Sequence, residues 1–522
     1  MLKKLHGRKL AVCLIGGAMY ALFSAFGWQA EHGGVIWAGG ALLVAALLVW
    51  PIAALLAVLL ERGYTRTLRQ EKTFRAGRAF AFILACYVPM FCVAFPGSFA
   101  YDVPYQLRQV VTGAYSTHHP LLHTLALGGL LQLGRALGDI NLGAALYTAL
   151  QMALLAGCFA LTCGSIARQS GARAAKRAAV FFALYPLNMV MAVNATKDVL
   201  FGGFFALTLA LLNEIQEKPS RGLALKIAAC GALAVMLRNN MAYAALVWLA
   251  ILTLGLRKAE KSAALAMLLA LAVGLCGNAA LKHATRAESG DMSEMLSWPI
   301  QQLARARLYA EERLTDAEKE AIDELMPGEA WACYDPTISD PVKFEFDTQA
   351  FRADVKKYVG VWLSVGKKCA GTYLDATMAL TYSFFYPYRE YRVSGYYVQM
   401  GMSDAYDAGW CGFDPPESRS LFPRALASLS WRFGAKGAMQ IPVVGWLFNM
   451  GVIVWTMLFF ALREMYWGRW RRFGTALLPV LLWGTFLLGP VMAGRYIYPF
   501  VCALPVLAAR PGRIVKEAER HG

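Results

Sequence analysis

The chain has 522 residues, of which 58% are hydrophobic and 16% are charged, and its net charge is +17. Soluble domains carry about 25% charged residues, so this composition and its long apolar runs indicate a polytopic α-helical membrane protein. Residues 282–440 hold 18 Lys/Arg and 22 Asp/Glu, whereas the rest of the chain holds 33 and 12. Positive charge concentrated in short loops and tails is typical of cytoplasmic loops that face anionic lipid, which excludes a nucleic-acid groove.

Twelve apolar segments could cross a membrane, at 10–28, 35–60, 79–95, 142–167, 178–195, 199–213, 222–237, 241–256, 263–281, 441–462, 475–492 and 496–510. A further apolar run, 121–138, is ambiguous. If it crosses, every later basic loop falls on the same side as Asp102. If it lies on the membrane or re-enters from the outer side, the whole chain obeys the positive-inside rule. We therefore predict about twelve spans in the cell membrane, with both termini cytoplasmic.

This topology divides the chain into three parts. Residues 1–281 form an N-terminal transmembrane module whose first outer loop is 96–141, residues 282–440 form an extracytoplasmic region with peripheral helices, and residues 441–522 contain the last spans and a basic tail. Within the middle part, 315–325 is rich in Glu and Ala and predicts a soluble helix opened by Thr315. The apolar, aromatic stretch 358–386 is interrupted by lysines and predicts a peripheral helix packed on the bundle.

The first outer loop carries a lone carboxylate, prolines, aromatic residues and three histidines directly after an apolar span. Asp102 could act as a general base in a low-dielectric cavity, or it could cap a helix or pair with Arg108. His119 and His123 are spaced i, i+4, which suits a metal ion bound on a helix. However, Pro120 interrupts the start of the helix, and no acidic ligand is close in sequence. A divalent metal is left open and is not predicted. The predicted cavity residues of this loop are Tyr101, Tyr105, Gln106, His118, His119 and His123.

Four more polar residues fall at outer ends of apolar segments. Asp198 could be catalytic or could cap a helix, whereas Lys197 opposes the helix dipole and makes more sense beside an anion. Arg238 and Arg495 could converge on a phosphate at the membrane surface or snorkel to lipid headgroups. Gln301, Gln302 and Tyr496 complete the predicted substrate cavity, although the segment 297–305 could equally begin an ordinary amphipathic helix.

The 11 cysteines form no CxxC pair, which argues against zinc and thioredoxin-like sites. Most lie in apolar runs and are expected to be small core residues. Cys333, Cys369 and Cys411 lie in the polar region, where one disulfide among them is left open.

These motifs resemble the GT-C superfamily of integral-membrane glycosyltransferases, which includes protein O-mannosyltransferase-like and aminoarabinose transferase-like enzymes. Asp102 is similar to the acid of that family's first outer loop, and His119-Pro120-Leu121 to the motif that opens its juxtamembrane helix. Tyr185-Pro186 and Asp198 are similar to the later aromatic-Pro span end and second outer acid. The segments 297–305 and 494–496 further resemble an uncharacterised bacterial family of GT-C-like proteins.

The resemblance is best over residues 79–256 and implies an all-α bundle with outer-face juxtamembrane helices. It also implies transfer of a sugar from a polyprenyl-phosphate donor to an acceptor hydroxyl on a glycan, lipid or protein, with inversion. By that resemblance Asp102 would be the general base, Lys197, Arg238 and Arg495 would stabilise the leaving phosphate, and Asp198 would orient Lys197 or the acceptor. Val103 stands where the family often has a second acid, which puts a metal-dependent mechanism in doubt.

Two other classes of function remain as alternatives. A transporter or flippase for lipid-linked sugars tends to show related halves and helices broken at mid-membrane, and the sequence shows neither. A polysaccharide polymerase or ligase of another membrane fold would rely on outer-loop arginines more than on a carboxylate.

Overall fold

The structure is a computed structural model, and it describes residues 5–32, 40–61, 66–68, 74–100, 102–255, 261–290, 292–387, 400–402, 416–434, 441–510 and 512–514. The described elements are helical apart from two three-residue strands, β1 (Arg66–Leu68) and β2 (Gly512–Ile514), which pair in parallel. The N-terminal helices are α1 (Arg8–His32), α2 (Gly40–Glu61), α3 (Ala76–Ala94), α4 (Val103–Thr112), α5 (Leu121–Ala136), α6 (Ile140–Ser170), α7 (Ala172–Leu184), α8 (Pro186–Ala192), α9 (Lys197–Glu217), α10 (Arg221–Leu237), α11 (Asn239–Gly255) and α12 (Lys261–Thr285).

The remaining helices belong to the polar middle of the chain and to its apolar C-terminal part. They are α13 (Ser297–Tyr309), α14 (Asp316–Leu325), α15 (Asp340–Lys343), α16 (Thr348–Ala353), α17 (Val355–Lys368), α18 (Ala370–Thr381), α19 (Pro423–Gly434), α20 (Met450–Tyr466), α21 (Trp470–Leu487) and α22 (Tyr498–Ala508). The prediction of a helix opened by Thr315 is confirmed, because its hydroxyl accepts from the Glu318 N–H while the Glu318 carboxylate accepts from the Thr315 N–H. This reciprocal capping satisfies two otherwise unpaired donors.

Six of the described helices are long and apolar enough to cross a membrane, namely α1, α2, α3, α6, α9 and α12. The chain is therefore an all-α membrane protein. The count of twelve spans stays a prediction, since several predicted segments are short or broken helices. Segment 178–195 divides into α7 and α8 at Tyr185, because Pro186 lacks an N–H and begins a helix more readily than it continues one. The peripheral helix predicted over 358–386 likewise divides into α17 and α18 at Cys369.

The long helix α6 projects past the end of its neighbour α9. The Gln151 side-chain amide donates to the carbonyls of Ala192 and Asn194, just before α9 begins. Arg168 pairs with Glu214 in the last turn of α9. Residues 151–168 thus cover about 26 Å of helix, close to the ~30 Å thickness of a hydrocarbon core. Residues 140–150 extend beyond that level, and we call this the Asp102 end of the bundle.

Helix α5 lies beside the projecting part of α6. At its start, His123 Nε2 is 2.8 Å from the Tyr147 hydroxyl. Near its end, Gly134 lies against Gly143, where a Cβ on either glycine would meet backbone atoms at 2.3 Å. Both ends of α5 therefore lie at the Asp102 end, and the helix does not cross the bundle. This agrees with the non-crossing alternative for 121–138, while the side of the membrane that this end occupies stays a prediction.

The loop that carries Asp102 is held on two sides by backbone hydrogen bonds. The Ser98 N–H donates to the Val193 carbonyl, and the Ala195 N–H donates to the Ser98 carbonyl, each at 2.8 Å. On the other side the Phe99 N–H donates to the Gly401 carbonyl at 3.0 Å. The loop thus joins the segment that precedes α9 to the polar middle of the chain.

Residues 292–377 form a cap region with a hydrophobic core of its own, which includes Ile300, Ile322, Val342 and Val365. The cap region contacts the last residue of α21 and the loop 488–494 that follows it. The Trp298 indole N–H donates to the Leu487 carbonyl at 2.7 Å, and the Ser339 N–H donates to the Pro490 carbonyl at 2.8 Å. Because Arg495 directly follows this loop, the packing fixes the position of its backbone.

Candidate functional site

Five charged residues meet at the Asp102 end, and we call them the charged cluster. They come from four separate places in the chain: the loop before α4, the first turn of α9, the end of α10 and the turn before α22. Their members are Asp102, Lys197, Asp198, Arg238 and Arg495. The structure therefore brings together the two predicted catalytic acids and all three predicted phosphate-binding cations.

Both oxygens of the Asp102 carboxylate face cations. Lys197 Nζ lies 2.7 Å from Oδ2, and Arg495 contacts both oxygens through Nη1 and Nη2 at 3.1 Å each. Asp102 occupies the residue before α4 but makes no side-chain capping hydrogen bond, so the capping alternative does not describe it. The contact also explains Lys197, because the anion that offsets its unfavourable position at a helix N-terminus is Asp102.

Asp198 and Arg238 form a second, deeper ion pair. The Asp198 side chain has no exposed surface, and Arg495 Nε lies 3.8 Å from its Oδ2. Arg495 therefore bridges the two carboxylates. Helix capping here belongs to Thr196, whose hydroxyl accepts from the Asp198 N–H, so the predicted capping role falls to a different residue.

Arg238 is enclosed by aromatic rings. Its guanidinium carbon lies 4.4 Å from the ring centre of Phe486 and 4.5 Å from that of Tyr496. Such cation–π contacts strengthen when desolvated, and the side chain is only 8% exposed. Arg238 is thus directed into the protein and does not snorkel toward headgroups. Tyr496 also stacks near Arg495, at 5.4 Å, which places this predicted cavity residue within the cluster.

The cluster carries an excess of positive charge, since three cations face two carboxylates. Burial by itself would raise the pKa of Asp102, but Arg495 and Lys197 hold that pKa well below its usual range. Asp102 is therefore ionised at neutral pH. The side chains of Asp102 and Lys197 are 19% and 15% exposed, whereas that of Asp198 is 0% exposed. A ligand that enters from solution can reach the first pair and not the second acid.

His119 lies at the edge of the cluster, with Nδ1 3.7 Å from Asp102 Oδ2. Its Nδ1 is buried and has no hydrogen-bond partner among the described residues. Burial lowers the pKa of His119 to about 3, so the ring is neutral at physiological pH. His118 is exposed and packs edge-on against it at 4.5 Å, and Tyr105 lies 6.4 Å away between ring centres.

A buried chain of polar side chains supports this edge of the site. Gln106 contacts His123 Nδ1 at 3.1 Å, His123 Nε2 contacts the Tyr147 hydroxyl, and that hydroxyl donates to Gln151 at 3.0 Å. Because both amide hydrogens of Gln151 go to the carbonyls before α9, its oxygen is left to accept. These hydrogen bonds connect α4, α5 and α6 to the segment that precedes α9, so the polar side chains that make them support the site.

The other predicted cavity residues lie elsewhere. The Gln301 amide donates to the carbonyls of Asp335 and Ile338, and Gln302 contacts Thr377 and Trp362, all within the cap region. Gln301 shapes the turn that grips the loop before Arg495, so its connection with the cluster is indirect. Tyr101 lies outside the described residues, as does Cys411. Cys333 and Cys369 are free thiols.

Sequence reasoning missed Tyr147, Gln151 and Phe486. A signal existed for the first two, since they stand four residues apart on one face of a mostly apolar helix. Phe486 gave no signal, because its role depends on packing against Arg238.

The charge of the site favours an anion over a metal ion. The Asp102 carboxylate, the more exposed of the two acids in the cluster, already contacts two cations, so a divalent cation there would face like charge. Among the described residues no group of three or more His, Cys, Asp or Glu side chains could hold a metal ion.

The protein is therefore an all-α membrane protein with a buried, net-positive charged cluster at one end of its helical bundle. Residues 112–521 match the profile of a family described as a family of unknown function (DUF6020), and the chain belongs to that family. Comparison with curated proteins and with solved structures finds no match.

Proposed function

We propose that the protein is a GT-C-like membrane glycosyltransferase that moves a sugar from a polyprenyl-phosphate donor to an acceptor hydroxyl, with inversion. The observation that carries the proposal is the pairing of one reachable carboxylate, Asp102, with Lys197 and Arg495 at the end of an apolar bundle. A lipid-linked phosphate requires cations at such a depth, and a hydroxyl nucleophile requires a base beside them.

In the proposed reaction Asp102 takes the proton of the acceptor hydroxyl while the acceptor oxygen attacks the anomeric carbon. The bond between that carbon and the phosphate oxygen breaks, and its electron pair leaves with the polyprenyl phosphate. The phosphate charge grows from −1 in the diester to −2 in the monoester, and Lys197 and Arg495 offset the added charge. Water exclusion in the buried site strengthens that interaction.

The second ion pair has a supporting part in the proposal. Asp198 is buried and already occupied by Arg238, so we assign both residues to holding Arg495 in place instead of to direct contact with substrate. Phe486 and Tyr496 keep the Arg238 guanidinium from turning away.

The test uses purified, detergent-solubilised protein with a panel of radiolabelled polyprenyl-phosphate hexoses and an envelope extract as the source of acceptors. We expect wild type to release polyprenyl phosphate and to label acceptor material. Asp102→Asn, which keeps the shape and removes the base, should lower the rate by about 100-fold or more. Asp139→Asn is the matched control, since Asp139 lies at the same end but pairs with Arg419.

Full transfer by Asp102→Asn would remove the general-base assignment. Transfer without a membrane gradient would exclude the transporter alternative, because a transporter needs two compartments. A wild-type protein that releases no phosphate from any donor in the panel, yet moves lipid-linked sugar across vesicles, would favour that alternative instead.

A further inference from the structure

We infer that Lys197 and Arg495 are shared between Asp102 and the donor phosphate, so that donor binding frees the base and places it under the donor's control. The inference rests on the proposed function and adds an order of events to it. In the absence of donor, the two cations hold the carboxylate. When a phosphate takes them, the carboxylate becomes able to accept a proton.

The geometry that carries this inference is that cations hold both oxygens of one carboxylate. Lys197 Nζ and Arg495 Nη1 both contact Oδ2, and Arg495 Nη2 contacts Oδ1. An acceptor hydroxyl that donated to Asp102 would compete with these stronger, charge-assisted bonds. No other cation of the cluster can serve the phosphate instead, because Arg238 is held by Asp198 and two aromatic rings.

The titratable groups that face Asp102 come from several elements. Lys197 comes from α9, Arg495 from the turn before α22, and the neutral ring of His119 from the loop before α5. The Asp198–Arg238 pair lies behind Arg495 and is close to neutral as a unit. The positive field on Asp102 therefore depends on the two shared cations.

With shared cations, the total negative charge beside Lys197 and Arg495 is the same before and after transfer. Before transfer, the diester and the carboxylate each carry one negative charge. After transfer, Asp102 carries the acceptor proton and is neutral, and the phosphate monoester carries two negative charges. Negative charge thus moves from Asp102 to the phosphate as the proton moves the other way, and the same two cations face it throughout.

An ionised carboxylate whose pKa lies well below its usual range is a weak base, and this is the state of Asp102 without donor. Competition from a phosphate would raise the pKa of Asp102 toward its ordinary value. The order of binding follows, since an acceptor or a water molecule that arrives before the donor meets a weak base. Wasteful proton transfer is thereby reduced.

The test measures binding of farnesyl methyl phosphate, a phosphodiester with one permanent charge, to the full-length purified protein. Asp102→Asn should bind this probe at least ~10-fold tighter than wild type, because two cations lose their competing anion. Lys197→Met should bind it at least ~10-fold more weakly. Asp139→Asn should leave the affinity unchanged, since Asp139 pairs with Arg419 and does not contact the shared cations.

A second measurement is made on wild type, and Asp102→Asn serves as its control. Because binding raises the pKa of Asp102 toward the ordinary Asp value of about 3.9, wild type takes up a proton with the probe only as the pH approaches that value, and its affinity should rise as the pH falls from about 5 to about 3. That rise should be absent in Asp102→Asn.

The variants distinguish failure of the shared-cation inference from failure of the proposed phosphate site. If Lys197→Met loses the probe while Asp102→Asn binds it no tighter than wild type, the sharing is overturned and the proposed phosphate site survives. If wild type shows no affinity for the probe, or Lys197→Met binds it as well as wild type, the phosphate site itself fails. A flat pH profile in wild type would also overturn the sharing.

Discussion

Asp102 and Asp198 carry the same functional group at the same end of the bundle, and their surroundings give them different parts. Asp198 has no exposed surface and is paired with Arg238, so removing one partner would leave an uncompensated buried charge. Asp102 is 19% exposed and faces Lys197 and Arg495. The proposed base and the supporting acid therefore differ in solvent exposure and not in residue type.

The buried histidines should make the stability of the folded protein depend on pH. Burial lowers the pKa of His123 to about 3, whereas an unfolded histidine has a pKa of about 6.5. Between these values the unfolded state binds the additional proton, so the folded state loses stability as the pH falls, by up to about 1.4 kcal/mol per pH unit. His123→Gln should therefore show a smaller fall in the apparent Tm between pH 7 and pH 5 than wild type does.

The control for this prediction is His118→Gln, because His118 is the exposed neighbour in the same loop. It should leave the fall in Tm as it is in wild type. His119 is buried and its pKa is lowered in the same direction, so some acid sensitivity should persist in His123→Gln. An unchanged fall in that variant would contradict the neutral, buried state of His123.

At the scale of elements, the site depends on loops that are held by their neighbours. The loop before α4 is bonded to the segment before α9 and to Gly401, and the loop before α22 is bonded to the cap region. Loops carry functional groups well when a rigid scaffold positions them. The cap region thereby acts on Arg495 without contributing a charge to the cluster.

A substitution of Trp298 tests the connection between the cap region and Arg495. Trp298→Phe keeps an aromatic ring but removes the indole N–H that donates to the Leu487 carbonyl, and a lost hydrogen bond of this kind is worth about 1 kcal/mol. We expect the variant to bind farnesyl methyl phosphate about 5-fold more weakly, since the loop that carries Arg495 loses one of its holds. The measurement is the same titration on purified protein.

Trp362→Phe is the matched control for Trp298→Phe. It makes the same chemical change in the cap region, where the Trp362 indole donates to Gln302 at 2.8 Å and no described contact leads to the loop 488–494. Equal weakening in the two variants would mean that the cap region acts through its general stability and not through this loop.

At the scale of the whole molecule, the arrangement depends on whether α5 crosses. Both ends of α5 lie beside the first turns of α6. The residues that precede and follow α5 in the chain should therefore face the same compartment. Single cysteines at His118 and Leu137, the latter 63% exposed, should both react with a membrane-impermeant maleimide on intact cells. The background is a chain in which all 11 cysteines are replaced by Ser, because Cys276 is exposed as well as Cys333.

Lys218→Cys reports the opposite end of the bundle, since Lys218 is exposed directly after α9. It should react only after the cells are permeabilised. Labelling of one of the two α5 positions without the other would mean that α5 crosses. Labelling of Lys218→Cys alone on intact cells would mean that the bundle has the inverse orientation.

Much of the site could be predicted because its members are polar residues at the ends of apolar runs, where each is costly unless it has a partner. Charge counting then put Asp102, Lys197, Arg238 and Arg495 on one side. The helix opened by Thr315 was equally predictable, because its capping residues are adjacent in sequence. By contrast, Gln301 and Gln302 looked like cavity residues, and the structure uses them to bind backbone and side chains of the cap region.

The amino-acid sequence alone indicates the class of protein, the helical spans with the longest apolar runs and the charged residues that need a partner. These follow from composition and spacing, which are local. Tertiary structure decided which charges pair, because Asp102 and Arg495 are 393 residues apart in the chain and meet only when the bundle closes. It also decided that Asp198 is sealed by Arg238 while Asp102 stays within reach of solution, since burial depends on what packs around a side chain and not on its neighbours in sequence.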